Sequence, residues 1–194
     1  MIKKKNAYMQ QNYWFLVLFI LIIGCSKEKE FTKKGYEKEQ KGSYAEAFYD
    51  YQRALQENPN YGPANKRMGF LLSESQLSVV PAIVYLEKAL KEDPQDLEVV
   101  LKLVDLSLVI SDISRVNKLL SEYSSNIPQE SLLFLETVKA CLETEPESSQ
   151  KILQKLKTLD VPENVKFYYR SVVICYQKNG LSDLAEDFVK KYRR

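Results

Sequence analysis

The 194-residue chain contains no histidine and only three cysteines. Without an imidazole, the chain has no Ser-His or Cys-His mechanism and lacks the commonest protein ligand for metals. Three cysteines are too few for an all-cysteine zinc site or a dense disulfide framework. These absences argue against an enzyme, so we expect no catalytic residue, no bound metal and no cofactor.

The strings typical of metalloproteases, α/β-hydrolases, nucleotide-binding loops and dinucleotide-binding folds (HExxH, GxSxG, GxxxxGK[ST] and GxGxxG) are also missing. Lysines alternate with acidic residues, as in Glu87-Lys88 and Lys91-Glu92, and form no basic stripe. We therefore expect solvated helix faces and no nucleic-acid partner.

The N-terminus is a targeting segment by composition. Three lysines at positions 3–5 precede an unbroken apolar run at residues 14–23, which is followed by Gly24 and Cys25. Ten apolar residues are too few to span a bilayer, which takes about 20, but they suit the hydrophobic part of a signal peptide.

Residues 22–25 (Ile-Ile-Gly-Cys) resemble the bacterial lipobox, although leucine is more usual than isoleucine three places before the cysteine. The resemblance implies that residues 1–24 are removed as a signal peptide and that Cys25 carries lipid, with 25–30 as a short linker. The alternative is an uncleaved signal anchor with an incidental cysteine. Removing residues 1–24 leaves 25 basic and 26 acidic side chains, a net charge of −1.

The rest of the chain has an internal period. Prolines at 59, 94, 128 and 162 are separated by 35, 34 and 34 residues, and alanines at 47 and 54 recur at 82 and 89. Such a period indicates repeated supersecondary units. Gly42 suits the left-handed residue that ends a helix, and Ser43 with Glu46 predicts a capping box for the next.

Residues 28–194 resemble tetratricopeptide repeats, most clearly in the segment KGSYAEAFYDYQRALQENPN. The resemblance implies an all-α fold, a right-handed α-solenoid over residues 31–194 built from five antiparallel helix pairs. The predicted repeats cover residues 28–61, 62–96, 97–130, 131–162 and 165–194. Cys141 and Cys175 lie one repeat apart, and we expect them to be small packing residues because neighbouring helices lie about 8–10 Å apart between axes. A disulfide is the alternative, favoured by export.

The family resemblance also implies a concave groove lined by the first helix of each pair. Its expected lining residues are Lys33, Tyr36, Gln40, Lys66, Arg67, Phe70, Glu74, Leu101, Lys102, Asp105 and Leu108. We hypothesise that the groove takes a peptide with acidic groups, with Lys33, Lys66 and Arg67 as charge partners. A solvated face without a ligand is the alternative.

Together these features predict a lipid-anchored adaptor of the bacterial envelope that binds one or more unidentified envelope proteins. Ser26 after the cysteine resembles the class sorted to the outer membrane, facing the periplasm or the surface. The alternative is an envelope lipoprotein that binds a peptide or glycan without belonging to a larger machine.

Overall fold

The computed structural model describes residues 26–74, 78–159, 161–163, 167 and 169–192. Within these ranges the chain is all helical and contains no strand, which confirms the all-α class. The α-helices are α1 (Lys27–Gln40), α2 (Tyr44–Glu57), α3 (Gly62–Ser73), α4 (Val79–Glu92), α5 (Leu97–Val109), α6 (Ile113–Tyr123), α7 (Gln129–Glu143), α8 (Gln150–Thr158), α9 (Tyr169–Lys178) and α10 (Ser182–Tyr192), with a short 3-10 helix at Pro146–Ser148.

The predicted signal peptide and Cys25 lie outside the described residues. The predicted linker, in contrast, is mostly helical, because α1 already begins at Lys27. Two acidic residues in its first turn, Glu28 and Glu30, face the positive end of the helix dipole and favour this early start.

The described residues form two compact units, one ending at residue 59 and the other beginning at residue 60. In the first, α1 packs against α2 around Tyr51, which is fully buried and donates a hydrogen bond to the Glu39 carboxylate at 2.5 Å. A Cβ atom on Gly35 would lie 2.6 Å from the Tyr51 ring, so this contact requires glycine. The Lys38 ammonium lies 2.8 Å from the buried Asp50 carboxylate and balances its charge.

In the second unit, each odd-numbered helix packs against its successor. The contact seen at Gly35 recurs 34 residues later, where a Cβ atom on Gly69 would lie 2.6 Å from the Leu86 side chain. Glycine in the first helix of both pairs therefore allows close approach to a large side chain of the second.

Helix α5 lies at the centre of the second unit, with ten consecutive residues, 99–108, buried. It contacts α3, α4, α6 and α9. The contact with α9 joins residues about 66 positions apart, whereas the repeats of a regular solenoid contact only their neighbours. The last helix pair thus returns to cover the third.

Cys141 and Cys175 form a disulfide, so the expectation that they are only packing residues was wrong. That expectation compared the distance between helix axes with the distance that a disulfide needs between Cα atoms. Because Cα atoms stand about 2.3 Å from the axis, facing residues approach more closely than the axes do. Here the two Cα atoms are 5.9 Å apart, within the range that a disulfide spans.

Three helix pairs have the same tight turn. Gly42, Ser111 and Gly180 all have left-handed backbone, with φ of 76°, 58° and 71°, and they are spaced 69 residues apart, two repeat lengths. At the first turn the Gly42 N–H donates to the Glu39 carbonyl and the Ser43 N–H to the Lys38 carbonyl, which ends α1 as a Schellman motif. The predicted role of Gly42 is confirmed.

The predicted capping box after Gly42 was wrong. The Ser43 side chain makes no capping hydrogen bond, and Glu46 instead lies 3.3 Å from the Lys38 ammonium. Side-chain capping occurs at Asp96 and Asp112, whose carboxylates accept from the Val99 and Arg115 N–H groups.

We predict that Gly180→Ala lowers the free energy of unfolding by about 1–2 kcal/mol, the cost of a left-handed residue with a Cβ atom. No atom lies within 4 Å of that Cβ position, so the loss is conformational. Ser111→Gly should raise stability by up to about 1 kcal/mol, because relief of strain exceeds the added chain entropy. Urea denaturation measures both. Equal stability of wild type and Gly180→Ala would contradict the assignment of the turn.

We also predict that replacing both Cys141 and Cys175 by alanine lowers stability by about 3–4 kcal/mol, since the bridge closes a loop of 34 residues. The check is urea denaturation of both proteins in a Cys25→Ser background. In that background, alkylation of the unfolded, unreduced chain should modify no thiol. Two modified thiols would refute the disulfide.

Candidate functional site

The predicted groove residues of α1 are all on the surface. Lys33, Tyr36 and Gln40 are exposed, and Tyr36 retains 40% of its accessible area. These three positions belong to the first unit, and the other eight belong to the second. All three side chains are therefore open to solvent, and their role in lining a groove stays a prediction.

The predicted groove residues of α3 differ in their surroundings. Lys66, Arg67 and Phe70 are half-buried, and Glu74 is exposed just after the helix. The Lys66 ammonium lies 2.7 Å from an Asp96 carboxylate oxygen and 2.6 Å from a Glu98 oxygen. Burial alone would lower the Lys66 pKa, but the hydrogen bonds to Asp96 and Glu98 outweigh it, and the pKa is raised.

These ion pairs correct one part of the groove hypothesis. Lys66 already holds two carboxylates of its own chain, so it is not an open charge partner for an acidic peptide. Both acids lie at the start of α5, about 30 residues further along the chain.

The predicted groove residues of α5 lie in the interior, so the prediction that they line a groove was wrong. Leu101, Lys102, Asp105 and Leu108 are each at most 1% exposed. Helix α9 packs against α5 and covers this side, so these four residues do not line an open groove.

Several polar side chains meet where the end of α3, the middle of α5 and the start of α9 come together. We call this group the junction cluster. Its members are Glu74, Lys102, Asp105, Tyr169, Arg170 and Ser171. The Arg170 guanidinium donates to the Ser73 carbonyl, and the Tyr169 hydroxyl donates to Glu74 at 3.4 Å.

Asp105 is the most deeply placed carboxylate of the cluster. One of its oxygens accepts from the Ser171 N–H at 2.9 Å, while the other is buried without a hydrogen-bond partner. Burial raises the pKa of Asp105 above its ordinary value, and the charge of Lys102 opposes the shift only in part.

Lys102 is the buried cation of the cluster, with 2% of its side chain exposed. Its ammonium lies 3.8 Å from a Glu74 carboxylate oxygen and 5.8 Å from the centre of the Tyr169 ring. Both contacts are longer than a hydrogen bond. Lys102 therefore carries a buried charge that its own chain compensates incompletely.

A cavity of about 210 Å³ adjoins this ammonium. It is lined by Phe70, Glu74, Glu98, Lys102, Phe167, Tyr169 and Tyr192. A second cavity of about 410 Å³ shares Glu74 and Tyr169 with the first and has Arg170, Val79, Val109 and Val173 among its lining residues.

Sequence reasoning selected Phe70, Glu74, Lys102 and Asp105 but missed Phe167, Tyr169, Arg170 and Ser171 as their neighbours. No local signal connects residues almost 100 positions apart, because their meeting depends on the return of α9 to α5. A lysine and an aspartate inside the apolar run of α5 were the one available hint of a buried polar group.

Among the residues that the structure describes, no group of three or more histidine, cysteine, aspartate or glutamate side chains could hold a metal ion. In the same ranges, no helix has the length and apolar character needed to cross a membrane. The apolar run at residues 14–23 lies outside them.

Comparison with known proteins adds no assignment. No protein-family model matches the chain. A search of curated proteins likewise finds no significant similarity. The resemblances to the lipobox and to tetratricopeptide repeats therefore stand on the residues themselves.

We predict that Asp105→Asn raises the free energy of unfolding at pH 7. The raised pKa means that ionising Asp105 lowers the free energy of unfolding. This loss of stability is present in full above the pKa of the folded chain and vanishes as the pH falls to the ordinary pKa of 3.8. The advantage of Asp105→Asn should therefore shrink between pH 7 and pH 4 in urea denaturation. A loss of stability at pH 7 would mean that attraction to Lys102 outweighs the cost of burial.

Proposed function

We propose that the protein is a lipoprotein of the bacterial envelope, anchored through Cys25, whose tetratricopeptide-type helix pairs form a scaffold for one or more envelope proteins. The scaffold is a solenoid that departs from a regular one where α9 packs against α5. The observation that carries the scaffold is the recurring glycine contact. Gly35 lies against Tyr51 and Gly69 against Leu86, at nearly the same offset in successive helix pairs. The period of the sequence therefore coincides with a helix–helix contact that recurs in the structure.

The disulfide supports export. Disulfides persist in oxidising compartments and are rare in the reducing cytosol. Cys141 and Cys175 are both fully buried, so their bridge is part of the core and not an exposed redox centre. A core bridge of this kind favours folding outside the cytoplasm, which is where the lipobox-like sequence at residues 22–25 would direct the chain.

Exposed aromatic side chains make the first unit the best candidate for partner binding. Tyr44 and Tyr49 on α2 retain 59% and 64% of their accessible area, and Tyr36 on α1 retains 40%. Tyrosine is enriched at protein interfaces because it offers a large apolar ring and a polar hydroxyl. In the second unit, by contrast, the predicted groove positions of α5 are buried by the chain itself.

We predict that the protein is labelled by a palmitate analogue and that Cys25→Ser abolishes the label. With a photo-crosslinking amino acid in place of Tyr49, membranes of cells carrying native Cys25 should give an adduct of discrete mass. The Cys25→Ser form should give little of it, since the anchor positions the first unit near its partner.

The control places the same crosslinker at Glu186, an exposed residue of α10 in the second unit. Adducts at 49 and not at 186 would assign partner binding to the first unit. Equal palmitate labelling of wild type and Cys25→Ser would refute the anchor, and the absence of adducts at both positions would refute the scaffold.

A further inference from the structure

We propose that the cavity beside Lys102 is a binding site for a small organic acid, a single carboxylate on a ring-sized apolar body. The inference starts from the buried ammonium. A lysine ammonium has three donors, yet Lys102 makes no hydrogen bond within the described part of the chain. Burying a charge without close partners is costly, and an anion in the adjoining cavity would remove that cost.

The walls of the cavity define the body of the ligand. Phe70, Phe167, Tyr169 and Tyr192 supply four aromatic rings, with Phe70 and Phe167 edge-to-face at 6.2 Å between centres. The volume of about 210 Å³ equals the space of about seven water molecules. It is below the range of about 300–1,000 Å³ usual for drug-sized ligands, so one ring with a short acidic arm matches it best.

Two carboxylates also line the cavity, and each is already engaged. Glu98 lies 2.6 Å from the Lys66 ammonium, which neutralises its charge. Glu74 accepts from the Tyr169 hydroxyl and lies 3.8 Å from Lys102. Its side chain is 52% exposed, so it can turn toward solvent and leave the ammonium to the carboxylate of the ligand.

The site is independent of the lipid anchor and of the scaffold proposed above. All its residues belong to the second unit; they come from α3, α5, α9 and α10, together with Glu74 just after α3 and Phe167. The chain thus brings together three first helices and the C-terminal helix to form it. Loss of partner binding or of lipid labelling would leave this inference untouched.

The test uses the full chain and four probes: phenylacetate, its neutral amide phenylacetamide, the amine 2-phenylethylamine, and acetate. Isothermal titration calorimetry and thermal shift should show saturable binding of phenylacetate with a Kd of about 0.1–1 mM, as expected for so small a ligand. The amide, the amine and acetate should bind at least about tenfold more weakly, since each lacks either the carboxylate or the ring.

Two variants locate the site. Lys102→Met keeps the length of the side chain without its charge and should weaken phenylacetate binding at least about tenfold, whereas the exposed control Lys151→Met should not. Glu74→Gln, which keeps the size and hydrogen-bonding capacity of the exposed side chain, should tighten binding severalfold by removing the competing carboxylate. If Lys102→Met does not fold, Glu74→Gln still decides the point.

Any of the following results would overturn the proposal. The first is equal affinity for phenylacetate and phenylacetamide, which would mean that the carboxylate is not recognised. The second is tighter binding of the amine, which would make the cavity a cation site for Glu74 and Glu98. The third is phenylacetate binding that neither variant alters, or no saturable binding up to about 10 mM.

Discussion

The second unit depends on one constraint, which is that α5 must be covered on every side. Its sequence, LEVVLKLVDLSLV, has apolar residues around the whole circumference, and residues 99–108 are buried without interruption. An amphipathic helix at the edge of a stack needs neighbours on one stripe only, whereas a helix that is apolar all round must lie inside. Helices α4 and α6 cover two sides of α5, and the return of α9 covers another.

The junction cluster follows from this arrangement. Lys102 and Asp105 lie on the central helix, so covering α5 buries their charges as well as its leucines and valines. The start of α9 meets them with the Ser171 N–H and the Tyr169 ring. The compensation is incomplete, because one oxygen of Asp105 has no hydrogen-bond partner and Lys102 has only distant ones. A core built for stability alone would have used apolar residues at both positions. Stability therefore does not explain why Lys102 and Asp105 occupy them.

Local features were predictable from the sequence, since they depend on residues close along the chain. The period of 34–35 residues and the turn at Gly42 indicated where helices start and stop, and the resemblance to tetratricopeptide repeats implied the all-α class. One local prediction failed, the capping box of Ser43 and Glu46, because Glu46 pairs with Lys38 instead. The other failures concern contacts between distant segments. The burial of Leu101 and Leu108, the pairing of Lys66 with Asp96, and the disulfide depend on how helices from different pairs approach, which no local pattern encodes. For the cysteines, the spacing of one repeat was consistent with the disulfide. The error came from comparing the distance between helix axes with the Cα–Cα distance that a disulfide needs.

The contact between α9 and α5 also has a kinetic consequence. Repeats that touch only their neighbours can fold from any point and propagate, but contacts across some 66 residues must wait for a long loop to close. The central helix of the second unit is therefore incomplete until the last helix pair arrives. Synthesis runs from the N-terminus, so a growing chain exposes one side of α5 until residues beyond 178 have been made. Native packing of this unit is therefore completed from its C-terminal end.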